Sequence, residues 1–91
     1  MLEPRTEAFT DLDIHLSIGQ ARTDIDELDL GIIRLLRMRR AVSQRIQRTR
    51  LRADGPGTDP GRENDIARVY RSHFGDSGDD VAAAVLRACR S

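Results

Sequence analysis

Residues 21–52, ARTDIDELDLGIIRLLRMRRAVSQRIQRTRLR, decide how this chain folds. Ile25, Leu28, Ile32, Leu35, Val42 and Ile46 recur three and four residues apart, the spacing of an apolar stripe on one side of a long helix. The step between Leu35 and Val42 holds Arg39, while Arg22 stands three residues before Ile25 and Arg50 four after Ile46. Three cations therefore share the face that seeks burial. An unpaired buried charge is costly, so the pattern predicts an anionic partner for them.

At a rise of about 1.5 Å per residue, Arg39 and Arg50 are roughly 16 Å apart and Arg22 and Arg50 roughly 42 Å. Two extended guanidinium side chains can close around a small dianion across the first gap and cannot across the second. Arg22 is therefore expected to serve the site of another copy. A helix of about 45 Å is also too long for the rest of a 91-residue chain to cover, which predicts an intertwined homodimer.

Composition narrows the classes further. Net charge is zero, with 15 basic residues, all of them Arg, against 15 acidic ones. Eight arginines and no acids lie between Arg34 and Arg52, whereas acids gather at Asp24 to Asp29 and at Asp76 to Asp80, a segregation that favours an anionic ligand near the middle of the chain. Cys89 is the single cysteine, which fits a reducing, cytoplasmic setting. Apolar runs are too short for a membrane span, and the start MLEPRTEAFTDLD does not read as a secretory signal.

Residues 1–16 scatter Phe9, Leu12, Ile14 and Leu16 among charges and are read as a loosely ordered arm, leaving residues 17–91 as the helical domain. Ser17 followed by Gln20 fits a capping box and marks the expected helix start. ADGPGT, residues 53–58, is a loop, after which Asp59 is the expected N-cap of a second helix with Pro60 in its first turn. That helix carries Ile66, Val69, Tyr70 and Phe74 on one face, with Arg62 and Glu63 a turn earlier. After a break at Gly75 to Gly78, a last helix from about Asp79 to Arg90 is expected to bury Val81, Val85 and Leu86, with Cys89 beside them. No strand pattern is present, so the expected fold is all-α, one long helix and two shorter ones.

These residues resemble a known family. Arg22 with Ile25 and Asp29, the Arg39-Arg40 pair, a cation eleven residues after Arg39, and the Arg62-Glu63 pair follow the order and spacing of the all-helical chorismate mutases, in particular their short actinobacterial branch. The likeness runs from about Ala21 to Arg90. It implies an intertwined dimer with two sites, each formed mostly by one chain. Arg22 would be the arginine donated across chains, Arg39 and Arg50 the cations on the long helix, Arg62 and Glu63 the second-helix pair, and Asp59 a further lining position.

The implied reaction is the Claisen rearrangement of chorismate to prephenate, which feeds phenylalanine and tyrosine synthesis and needs no metal and no cofactor. Under this resemblance Arg22 and Arg39 would hold the two carboxylates, Arg50 a carboxylate and the ether oxygen, and Glu63 the ring hydroxyl. Three departures stand out. The best-known bacterial member has Lys at the position of Arg50. Gln47 and Thr49 replace small residues. A third-helix amide has no counterpart, since only Leu86, Arg87 and Arg90 are near its place. Docking onto a 3-deoxyheptulosonate 7-phosphate synthase is the partner that the resemblance implies.

Competing readings attach to each residue. Arg39 could snorkel at the stripe's margin, Arg50 and Arg62 could be solvated charge, Arg22 has four acids nearby, Glu63 could serve the helix dipole, and Asp59 suits a cap. Arg34, Arg37, Arg45, Arg48 and Arg52 read as solvated face, and His15 and His73 have no metal-ligand partners at useful spacing. Within the same scaffold, an isochorismate pyruvate lyase or a 4-amino-4-deoxychorismate mutase would show the same spacing. Nucleic-acid binding by the Arg34 to Arg52 helix is disfavoured by zero net charge and scarce aromatics. A non-catalytic dimerisation module would bury the seam without a polar cavity.

Overall fold

The computed structural model describes residues 11–53, 55 and 58–90. They form three helices, α1 (Asp11–Arg52), α2 (Pro60–Phe74) and α3 (Ser77–Arg90), with no strand among the described residues. The chain divides into two units, residues 1–33 and 34–91, so that α1 gives its first part to one and its second part to the other.

In the first unit α1 begins at Asp11, not at the expected Ser17. Residues 11–16 are thus helix rather than part of a loose arm, while residues 1–10 lie outside the described residues. The reason is visible in the stripe: stepping back from Ile25 by four, three and four residues meets Ala21, Ile18 and Ile14, so the helical period runs through Ser17 without a break. Asp11 and Asp13 in the first turn suit the positive end of the helix dipole. Gln20 does not reach back to cap; its Nε2 donates to Asp24 Oδ1 one turn ahead, at 3.0 Å.

The second unit holds the end of α1 together with α2 and α3. The Arg50 carbonyl accepts from the N–H groups of Ala53 (3.1 Å) and Gly55 (2.7 Å), which closes the last turn of α1. Asp59 caps α2 as expected: its Oδ1 accepts from the Arg62 N–H at 3.1 Å, with Pro60 following in the first turn. Gly75, at φ +63°, ends α2 in the left-handed region and donates its N–H to the Arg71 carbonyl at 2.8 Å.

Close backbone packing among the described residues is between α2 and α3. Gly78, Ala82, Val85 and Cys89, spaced four, three and four apart, form the buried stripe of α3. A Cβ on Gly78 would stand 2.5 Å from backbone atoms of Tyr70 and Arg71, so the approach of α3 to α2 requires glycine there. The Arg71 guanidinium grips Asp79 through both carboxylate oxygens (2.8 and 2.9 Å), and this pairing raises its pKa above the ordinary arginine value.

The expected burial of Val81 is not realised within the chain, because the small residue one step on, Ala82, takes the inward position and leaves Val81 exposed. Val69 and Phe74 of α2 are likewise exposed. So is the apolar stripe of α1: Ile25, Leu28, Ile32, Leu35, Val42 and Ile46 are each about half or more accessible. A single copy leaves an unusual amount of aliphatic surface uncovered.

Candidate active site

The α1 residues that the second unit does shelter are Leu36, Arg39, Ser43, Gln47 and Arg50, at intervals of three, four, four and three. This is a second stripe, mostly polar, which overlaps the apolar one at Arg39 and Arg50 and is otherwise displaced from it. From Arg39 onward it lines a half-open cavity of about 250 Å³ bounded by the end of α1, the first turns of α2 and the last turn of α3. Burial here is partial, and α1 presents both kinds of residue to the cavity, Val42 and Ile46 of the aliphatic stripe beside Arg39, Ser43, Gln47 and Arg50.

Five of the six residues selected from the sequence line this cavity: Arg39 and Arg50 on α1, Asp59 at the cap of α2, and Arg62 and Glu63 in its first turn. Arg22 belongs to the other unit and is not among the lining residues. Asp59 faces two ways, since its Oδ1 caps α2 while its Oδ2 lies 3.9 Å from Arg50 Nη2. The helix start therefore also places a carboxylate near a cation.

Sequence reasoning did not select Arg90, whose Nη2 donates to Glu63 Oε2 at 2.6 Å. The usable signal was the period of α3: Leu86 and Arg90 are one turn apart, and both line the cavity with Cys89. Arg87 is not among the lining residues. Val42, Ile46, Ile66 and Leu86 supply apolar wall, and Ser43, Gln47 and Thr58 supply neutral polar groups. Arg34, Arg37, Arg45, Arg48 and Arg52 are exposed, as their solvated-face reading requires.

Four guanidinium groups (Arg39, Arg50, Arg62, Arg90) face two carboxylates (Asp59, Glu63), a formal surplus of two positive charges in a hollow with aliphatic flanks. Such a hollow suits a compact organic dianion: forked donors for its carboxylates, apolar wall for its carbon skeleton, and Glu63 to accept a hydroxyl proton. Among the described residues no three His, Cys, Asp or Glu side chains are arranged to hold a metal ion. No described helix is long and apolar enough to cross a membrane.

An all-helical protein with an arginine-rich cavity is the class that fold and site define. Residues 21–89 match the family model of chorismate mutase type II. The chain is 33% identical to the intracellular chorismate mutase of Mycolicibacterium smegmatis over 79 residues, which span 87% of this chain and 76% of that protein. It also superposes with a TM-score of 0.80 and 30% identity on a chain from the non-covalent complex of DAHP synthase and chorismate mutase from Corynebacterium glutamicum with bound transition state analog, covering 84% of this chain and 92% of that one. The chain belongs to the chorismate mutase type II family and is an isomerase.

Proposed function

We propose that the cavity between α1, α2 and α3 is where this isomerase folds chorismate into its reactive conformer and rearranges it to prephenate. The observation that carries the reading is the surplus of two positive charges among Arg39, Arg50, Arg62 and Arg90 against Asp59 and Glu63, matched to a dicarboxylate in charge and scale. Chorismate carries two carboxylates, a ring hydroxyl and an ether oxygen. In the rearrangement one C–O bond breaks as one C–C bond forms, within a single molecule.

No nucleophile or general base is needed. Catalysis then consists of holding the side chain over the ring and placing cations where the breaking ether oxygen gathers negative charge. Arg39 holds one carboxylate, and Arg50, near Asp59, holds a carboxylate and the ether oxygen. Arg62 adds positive potential at the start of α2, and Glu63 accepts from the ring hydroxyl. Arg22 completes the site of a second copy, in a homodimer that covers the exposed stripe of α1; the length of α1 and the accessible Ile25, Leu28, Ile32 and Leu35 support this.

The protein works in the cytoplasm, in line with the intracellular relative. Because the structural relative was captured with DAHP synthase, a synthase of that kind is the proposed protein partner. The decisive experiment follows ultraviolet loss of chorismate by the purified protein and by Arg39→Ala and Arg50→Ala. Each variant is expected to lose roughly 100-fold or more in kcat/KM, the scale of removing one donor to a developing oxyanion. Helicity should be unchanged. Full turnover in both variants would remove the site assignment, and isochorismate and 4-amino-4-deoxychorismate as parallel substrates test the choice of reaction.

A further inference from the structure

Glu63 stands among cations. Arg39, Arg50 and Arg62 line the same cavity, and any of them is a potential ion-pair partner for its carboxylate. The structure instead gives Oε2 to Arg90, 27 residues away on the last turn of α3, in a 2.6 Å charge-assisted hydrogen bond. The pair is too accessible to act as a stabilising staple, with side chains 47% and 31% exposed. Arg71–Asp79 and the buried stripe Gly78, Ala82, Val85 and Cys89 already join α3 to α2 along its length. The Glu63–Arg90 contact is therefore surplus to the fold.

We infer that Arg90 is a positioning residue for the rearrangement: it occupies one oxygen of Glu63, so that the other is presented to the substrate's hydroxyl and the carboxylate is kept off the arginines that the substrate needs. This rests on the assignment of Glu63 to the ring hydroxyl. Its physical content is a competition. A carboxylate freed from Arg90 can swing toward Arg39 or Arg50, which line the same cavity, and take up donors that belong to the dianion, while losing the orientation that serves the hydroxyl. Losing Arg90 also removes one of the two surplus positive charges, so affinity for a dianion falls on both counts.

The test is a double-mutant cycle in steady-state kinetics with chorismate, using Arg90→Met, Arg90→Lys, Glu63→Gln and the double variant Arg90→Met with Glu63→Gln. Arg90→Met is expected to lower kcat/KM roughly tenfold, chiefly through KM, with a much smaller effect in the Glu63→Gln background, the non-additivity of coupled neighbours. Arg90→Lys, which keeps a charge but not the fork, should recover part of the loss. An equal fold-loss from Arg90→Met in both backgrounds, or no loss at all, overturns the inference and leaves Glu63 in place. Unchanged kinetics in Glu63→Gln alone would overturn the Glu63 assignment itself, and the positioning role with it.

Discussion

Replacing Gly78 by alanine tests the contact on which the α2–α3 pair depends. The added Cβ would lie 2.5 Å from the Arg71 N and Cα and the Tyr70 carbonyl carbon, where ordinary contact begins at 3.4 Å. All three neighbours are backbone atoms of a helix and cannot rotate aside, so α3 has to retreat by about 0.9 Å. A gap of roughly 0.5–1 Å already forfeits a quarter to a half of the dispersion attraction across an interface. Ala82, Val85 and Cys89 lie on the same stripe and would share that loss. Overpacking of this kind costs about 1–3 kcal/mol, and each kcal/mol lowers Tm by about 4–8 °C in a domain of this size. Gly19, which has nothing within 4 Å of its would-be Cβ, is the control. Its replacement by alanine should stabilise α1 by about 0.5–1 kcal/mol. Thermal unfolding followed by circular dichroism at one fixed protein concentration reads both effects, and kcat/KM for chorismate reads the site, because Leu86 and Arg90 ride on the displaced helix. A Gly78→Ala protein as stable as the parent would refute the close-approach argument.

Asp59 separates cap from charge: Asp59→Asn keeps an N-cap of similar quality and should be nearly as stable as the parent, whereas Asp59→Ala should lose about 1 kcal/mol in denaturant unfolding. Both remove the carboxylate beside Arg50 and should slow turnover, and equal destabilisation by the two would defeat the capping role. Donation of Arg22 across chains is tested by mixing inactive Arg22→Ala and Arg39→Ala proteins after unfolding and refolding them together. Random pairing should restore about a quarter of parental activity, because half the dimers then hold one intact site, and no recovery would sink the exchange.

Much of the fold was legible because three signals agreed over long runs: the three-four stripe from Ile25 to Ile46, the Asp59-Pro60 cap, and the absence of alternation anywhere. The start of α1 was misjudged because Ser17 with Gln20 imitates a cap, and a local motif was preferred to a stripe that continues back to Ile14. Val81 was misplaced for a related reason. Hydrophobicity pointed to the larger side chain, while the close approach at Gly78 sets a phase that turns Ala82 inward.

For the site, Arg39, Arg50, Asp59, Arg62 and Glu63 could be chosen because cations on an apolar stripe and charges in a first turn are conspicuous. Which face of α1 meets the cavity was less apparent. Ser43 and Gln47, which line it, are too polar to resemble part of a buried stripe. Arg90 is named from the sequence only as lying near the place of a third-helix amide, because nothing in its own neighbourhood connects it to Glu63; the folding-back of α3 on α2 brings the two together.

The hollow's twofold positive surplus has a practical corollary at the bench. Sulfate, phosphate and citrate are multiply charged oxyanions, and forked donors that accept a carboxylate also accept their oxygens. Buffers made from these salts will act as weak rivals of the natural guest and raise the apparent KM, whereas a zwitterionic buffer with chloride as counter-ion leaves the arginines open to it.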